Sequence, residues 1–495
     1  MIDVNKVKQK ILDMAIRGEL TKQLKSDGNA ADLLVEIQKE KEKQNIVARK
    51  TRPYTVGASC ASLNADNDSE MPFEIPKNWV WCKLGEVTVI ERGGSPRPIK
   101  AFITSDENGT NWIKIGDVER NGKYITKVKE RIIKDGEKHS RKVFPGDFLL
   151  TNSMSFGRPY ISKIEGCIHD GWLVIRGNDS IYTSEYLYYY LSSAFAFNQF
   201  SESASGATVD NLSIDKVKSS WFSVPTIAEQ KRIVEKVDKL FEILDKIDEA
   251  QKKYQKDKEI LKSKIIEAGI RGKLTKQLKS DGNASNLLDE IRKEKEKLIK
   301  EGKIKRDKKE TYIYKSSKDN LYYEKYQDGT EKCINDELAF EIPENWAWCK
   351  VGSAVENIIA GGDKPKNMKK LQDEKYNIPV YSNGERNNGL YGFTDKAKVM
   401  PPAITISARG TIGYTVFRDV PFVPIVRLIS IISKHRALLK FINYYLKTNL
   451  VNSNGSTTQQ ITLPMLTTML IPLPPYAEQE RIVKCIEGIM KNINA

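Results

Sequence analysis

At 495 residues with 40% hydrophobic content, the chain is long enough for at least two globular cores and is not a disordered protein. Its 80 Lys+Arg against 65 Asp+Glu, with a pI near 9.2, fit a polyanionic partner without saying which one. Six scattered cysteines with no Cys-x-x-Cys pair and only three histidines argue against a zinc or disulfide framework; with no signal core and no run of about 18 apolar residues, a cytoplasmic protein with no membrane partner is expected.

The first element in the chain is also half of a repeat. Ile16 to Ala30 returns as Ile270 to Ala284, and carried on to Gln44 and Leu298 the copies agree at 23 of 29 positions. Gly18 and Gly272 follow the repeated Ile-Arg, where glycine ends a helix in a left-handed conformation. After the Ser-Asp-Gly-Asn turn come two short apolar faces, Leu33, Leu34 and Ile37 in the first copy and Leu287, Leu288 and Ile291 in the second, both expected to dock helical partners. The charged stretches 36 to 50 and 298 to 310 read as solvated helix ends or linkers.

Next comes a half-buried strand, Phe73 to Lys83, repeated as Phe340 to Lys350, whose Cys82 and Cys349 read as core packing. The bodies that follow, bounded at 72–227 and 339–476, are rich in short β-branched and aromatic runs broken by Gly, Pro, Asn and Asp, and are expected to be α/β with a mostly β core. Helices are expected near Ser184 to Phe200 and Ala437 to Asn449, ahead of loops at 203–211 and 453–460. Each body ends in a Pro-x-x-Ala-Glu-Gln helix start, at Pro225 and Pro474.

From Glu229 to Ala268 the apolar positions Ile233, Val237, Leu240, Leu244, Ile247, Tyr254, Leu261 and Ile265 follow coiled-coil spacing, predicting a helix of roughly 40 residues and about 60 Å. Residues 1–48 resemble the end of this central segment, and 477–495 its beginning. The predicted parts are thus an N-terminal helical segment at 1–50, a central coiled-coil region at 228–310 and a C-terminal helix at 477–495 around the two bodies. That order is a circularly permuted tandem repeat, with pseudo-two-fold symmetry as its simplest folded form.

Outside the shared segments the bodies differ, as a reader of two unlike targets would require. Candidate DNA contacts in the first body are Arg92, Ser95, Arg97, Lys100, Asn152, Ser153, Ser155, Arg158 and Thr208. Those in the second are Lys364, Lys366, Lys369, Lys370, Asn383, Arg386, Asn387, Arg409, Thr457 and Gln459. Arg pairs with guanine and Asn or Gln with adenine in the major groove, while Lys, Ser and Thr hold phosphates. Catalysis is not expected: Leu473-Pro474-Pro475-Tyr476 lacks the polar first residue of an adenine-methyltransferase motif, Asp373-Glu374-Lys375 has no identifiable second carboxylate, and no phosphate loop exists.

With its repeated Ile-Pro-x-Asn-Trp-x-Trp, Pro-x-x-Ala-Glu-Gln and Ile-Arg-Gly-x-Leu-Thr segments in circular order, the chain resembles the specificity subunits of type I restriction-modification systems. The resemblance implies two target-recognition domains, each reading half of a split double-stranded DNA site, separated by long antiparallel helices that act as a ruler. It also implies docking of two modification subunits that use S-adenosylmethionine, and restriction subunits, using ATP and Mg, that can join them; no cofactor is expected on this chain itself. The alternative is a coiled-coil adaptor that binds protein and not DNA.

Overall fold

The computed structural model describes residues 1–32, 35, 71–119, 122–153, 156–177, 180–202, 212–307, 310–452 and 460–494. The chain divides into two compact units, Met1–Lys252 and Lys253–Ala495. One continuous helix, Ile227–Ile270, runs from the first into the second. Among the described residues no helix is long and apolar enough to cross a membrane.

In the first unit the helix Val4–Ile16 is capped by Asp3, whose side chain accepts the Lys6 N–H. It packs antiparallel to the first part of the long helix: Ile2 exchanges hydrogen bonds with Gln251, and Lys8 pairs with Asp245 at 2.5 Å. Leu12, Ile16, Ile233 and Val237 share one core with the body. In the second unit the helix Tyr476–Asn494 plays the corresponding part, and Ile482 and Ile486 join Ile265, Ile266 and Ile270 in the core.

The predicted seam holds for Ile233, Val237 and Leu244, which are buried, but Tyr254 is 60% exposed and Leu261 48% exposed. A straight helix drifts about 20° per heptad against a strict seven-residue repeat, so the packed face moves off that seam. In the second unit it passes instead through Gly269, where a Cβ would come within 2.9 Å of Ile486 Cδ1. Leu287, Leu288 and Ile291, on the helix Ala284–Lys300, are buried in the core of their own unit. The expectation that they dock a partner is therefore corrected: their apolar face is already consumed. Their counterparts Leu33, Leu34 and Ile37 lie outside the described residues.

Each body begins and ends on a two-stranded ribbon. Val80–Lys83 pairs antiparallel with Trp221–Val224, and Ala347–Lys350 with Leu470–Leu473. Adjacent side chains on these strands point to opposite faces, and both faces are covered, which buries Trp81 and Cys82 in one ribbon and Trp348 and Cys349 in the other. Between the ribbon strands, the two bodies share a frame that their sequences conceal. In the first, a sheet runs in the order Thr88–Arg92, Trp172–Gly177, Phe148–Thr151, Pro159–Ser162, Tyr124–Ile125. In the second, it runs Asn357–Ala360, Leu428–Ile432, Ala403–Ser407, Thr415–Arg418. Both bodies add a second sheet with one parallel pair, Thr110–Ile113 with Gly166–Ile168 and Ile378–Tyr381 with Val423–Pro424. A three-stranded sheet, Tyr312–Lys315, Tyr322–Lys325 and Glu331–Cys333, packs Ile313 against Trp348 in the second unit and had no sequence expectation.

The repeated motifs are the two halves of a clamp. Glu229 and Glu478, both fully buried at a helix start, accept the indole N–H of Trp79 and Trp346, each at 2.9 Å, and the hydroxyl of Thr21 and Thr275, each at 3.1 Å. Arg232 grips Asp27 and Arg481 grips Asp281 with two nitrogens each. Gly18 and Gly272, at φ +75 and +70, press against the prolines of the Ile-Pro strand starts, Pro76 and Pro343. Helix end, loop, strand start and helix start thus meet at one point in each unit.

Candidate nucleic-acid interface

In the first unit, side chains from two separate segments, Arg92–Arg97 and the end of the strand Phe148–Thr151, converge on Asp170. Arg92, ending a strand, donates Nε to the Asp170 carbonyl at 3.0 Å, and the buried Asn152 donates Nδ2 to the same oxygen at 3.0 Å. Ser95 donates its hydroxyl to the Asp170 carboxylate at 3.0 Å, and the exposed Arg97 reaches the other carboxylate oxygen at 3.4 Å. Next to it, Nδ1 of His169 accepts the Gly171 N–H at 2.6 Å, and burial holds the imidazole below the usual histidine range. Four predicted residues, Arg92, Ser95, Arg97 and Asn152, therefore form one polar cluster around the unpredicted Asp170, two on its carbonyl and two on its carboxylate.

The others are placed apart. Lys100 is exposed on the turn Ile99–Ala101, and Ser153 is half-buried in the hairpin bend. Arg158 lines a different groove, with Tyr160, Tyr188, Tyr189 and Phe197 along its walls and Lys8 and Asp245 at its helical side. Ser155 and Thr208 lie outside the described residues, as do Thr457 and Gln459 of the second body.

In the second unit, Asn383 donates Nδ2 to the Arg409 carbonyl at 3.0 Å, and Arg409 Nε donates to Gln460 at 2.6 Å. Arg386 and Asn387 are exposed on the turn Arg386–Gly389, where Asn387 and Asn388 hold φ near +51 and +52, a conformation asparagine tolerates better than most residues. Arg418, stacked 3.6 Å from the Tyr381 ring centroid, donates to the Asn388 carbonyl at 2.6 Å and so fixes that turn. Lys364 and Lys366 are exposed and make no ion pair among the described residues, whereas Lys369 pairs with Asp373 at 2.6 Å and Lys370 lies over Tyr391.

Matching backbone bonds put these tips in register. Asn152 N–H donates to the Gly171 carbonyl and Ala408 N–H to the Arg427 carbonyl, both at 2.9 Å. Leu212 and Ile461 donate to the carbonyls of Asn152 and Ala408 at 2.8 and 2.9 Å. Gly93 and Gly361 each leave room for the carbonyl of the opposite strand, of His169 and Ile425 respectively, where a Cβ would collide. In this register Asp170 corresponds to Val426 and Gly171 to Arg427. Arg427 is exposed, its side chain makes no hydrogen bond or ion pair among the described residues, and it holds φ +73, strained for an arginine. Sequence reasoning missed Asp170, His169 and Arg427, single residues in short turns that carry no periodic signal, and Arg418, a buried charge at the end of the strand Thr415–Arg418.

Comparison with known proteins agrees with this two-part layout. The type I restriction modification DNA specificity domain matches residues 76–255 and 343–495. The EcoAI specificity subunit of a type I restriction enzyme from Escherichia coli is 24% identical, over 99% of this chain and 90% of its own length. A type I specificity subunit of Mycoplasma pneumoniae, S.MpnORF507P, is 29% identical over 30% of this chain, and the match spans only 40% of that relative. The HsdS subunit structure from Thermoanaerobacter tengcongensis superposes with a TM-score of 0.50 at 19% identity, covering 86% of this chain and 92% of that one. A chain solved in work on complex assembly of the type I R-M system gives 0.60, also at 19% identity, over 86% and 93%. With both of its body-and-helix segments matched, the chain belongs to the type I restriction-modification DNA specificity family.

Proposed function

We propose that the chain is the DNA sequence-specificity subunit of a type I restriction-modification complex, each body reading one half of a bipartite, asymmetric site in double-stranded DNA. The observation that carries this reading is one strand frame present twice with unlike polar tips: Arg92, Ser95, Arg97, Asn152 and Asp170 on the first, Asn383, Arg386, Arg409 and Arg427 on the second. A protein adaptor has no need of two chemically different tips on one frame. Arginine and asparagine at these tips supply the donors that distinguish guanine and adenine in the major groove, and Lys364 and Lys366 supply unpaired cations for phosphate.

In this reading the helices space the bodies and dock two modification subunits, to which restriction subunits can add. S-adenosylmethionine belongs to the modification subunits, ATP and Mg to the restriction subunits, and this chain performs recognition without chemistry. Long-read mapping of methylated adenine in a methylation-free host carrying the modification subunit, with and without this chain, tests the proposal. A split asymmetric motif that appears only with the chain is expected. No new methylation, despite a stable complex between the two proteins, would overturn it.

A further inference from the structure

Among the described residues, positive φ occurs outside glycine at Asn320, Asn387, Asn388 and Arg427. Three of these are asparagines, whose short polar side chain tolerates the conformation, and Arg427 is the exception. It holds the third position of a turn closed by the Leu428 N–H on the Ile425 carbonyl at 3.2 Å, a place that glycine or asparagine takes when φ is positive. In the first body the corresponding turn is closed by the Trp172 N–H on the His169 carbonyl at 3.1 Å, and its third residue is Gly171.

Nothing inside the protein explains an arginine there. Ile425 and Leu428, 8% and 3% exposed, anchor the turn on both sides, and the Arg427 carbonyl accepts the Ala408 N–H at 2.9 Å. A glycine would keep those backbone bonds without strain. The guanidinium makes no hydrogen bond, ion pair or ring contact among the described residues. Arg409, Arg418 and Arg436 of the same unit are each tied down, on Gln460, Tyr381 and Asp419. The strain persists for the sake of a side chain that faces outward, so the interaction that offsets it comes from a ligand.

We infer that Arg427 is a specificity-determining residue that reads one guanine of the second half-site, with two parallel N–H donors on its O6 and N7 in the major groove. A phosphate needs no such backbone, since Lys364 and Lys366 are exposed cations without positive φ, whereas a base edge must be met from a fixed direction, which a turn anchored at both ends supplies. Neither exposed side chain of the turn carries an acceptor: Arg427 has donors alone, and Val426, 51% exposed, has no polar group. The amino groups of adenine and cytosine therefore find no partner, while the two acceptors of guanine do. Gly171 gives the first body no such reader, which confines the effect to one half-site. This assignment rests on the specificity reading above and names a base for it.

The test maps methylated adenines by long reads in a methylation-free host carrying the modification subunit and the full chain, as wild type, Arg427→Gly or Arg427→Lys. The wild-type motif is expected to hold a G·C pair in one half-site at which both variants lose preference by about 5- to 150-fold, the other half-site and the spacer unchanged. Purified Arg427→Gly chain is expected to melt no lower than the wild type, because relief of the turn offsets the added freedom of the unfolded chain. A lower melting temperature would deny the strain and overturn the inference. So would an unaltered motif, relaxation in both half-sites, or a loss at all sequences alike that lysine restores, the mark of a phosphate contact. A wild-type chain that directs no methylation would instead overturn the specificity reading itself.

Discussion

Replacing Glu478 with glutamine is expected to cost more than replacing Glu229, although both carboxylates sit at the same place in the repeat. Glu478 receives three donors: the Trp346 indole at 2.9 Å, the Thr275 hydroxyl at 3.1 Å and the Gln277 amide at 2.9 Å. A glutamine at 478 has one oxygen. With that oxygen turned to Trp346, its amide faces the Thr275 hydroxyl, which can reverse and accept, and the Gln277 amide, which cannot. Flipping Gln277 would sacrifice its bonds to the carbonyls of Gly272 at 2.8 Å and Thr275 at 3.2 Å. One charge-assisted bond is lost outright, about 1.5–3 kcal/mol. Glu229 receives Trp79 at 2.9 Å and Thr21 at 3.1 Å, with Asn78 only at 3.5 Å, so Glu229→Gln keeps the indole bond, lets Thr21 reverse and loses about 1 kcal/mol. Native-state hydrogen exchange of the full chain, followed in peptides covering the two helix starts, reads each unit separately. Equal losses at the two sites, or a larger loss at Glu229, would refute the donor count.

Gly272→Ala places a methyl group 2.5 Å from Pro343 Cγ at φ +70, and is expected to lower the stability of the second unit by about 1–2 kcal/mol from the backbone conformation alone, with the proline contact added to it; a thermal melt showing no loss would deny that the loop is clamped there. Hydrogen bonds from Arg232 and Arg481 hold the carboxyls of Asp27 and Asp281 below their usual range, so the unfolded chain binds protons first as pH falls. The stability they contribute is complete above about pH 4, drops as pH descends through their lower folded values, and should decline less steeply in Asp27→Asn/Asp281→Asn when urea midpoints are compared. Neutralising Lys364 and Lys366 together should reduce the slope of log K against log salt by up to about 1.8, and neutralising Lys369, already paired with Asp373, by much less; equal effects from the three lysines, measured by DNA titration across salt, would remove that distinction.

The segments that build the clamp were legible in the sequence because they are specific and repeated in fixed order, but the bonds of Trp79 and Trp346 to Glu229 and Glu478 join residues about 150 and 132 positions apart and were not. Nor was the shared strand frame. Leu173 and Ile429, or Leu150 and Ile406, occupy equivalent buried positions, and one aliphatic side chain replaces another at little cost, which leaves no identity to detect. The face of Leu287, Leu288 and Ile291 was visible as an apolar stripe, but a stripe does not reveal whether its own unit or another chain will cover it. At the tips, Arg92, Ser95, Arg97 and Asn152 stood out as residue types suited to DNA, while the residue that gathers them, through its carbonyl for Arg92 and Asn152 and its carboxylate for Ser95 and Arg97, is a single aspartate in Ile168-His169-Asp170-Gly171, indistinguishable from an ordinary turn.

The two tips also show how one frame supports different readings without being rebuilt. At the first, Asp170 spends its carboxylate and carbonyl on four neighbours, so Arg92, Ser95 and Asn152 are positioned at 3.0 Å before any ligand arrives, and less side-chain freedom remains to be lost on binding. Gly171 belongs to the same solution, since a Cβ there would collide with the His169 ring. At the second, Val426 offers no carboxylate, and the next residue is an exposed arginine carried on a backbone that costs about 1–3 kcal/mol to hold. The strand bonds on either side are unchanged, with Asn152 to Gly171 and Ala408 to Arg427 both at 2.9 Å. The frame supplies fixed backbone positions, and the chemistry presented to a partner depends on a pair of adjacent residues at its rim.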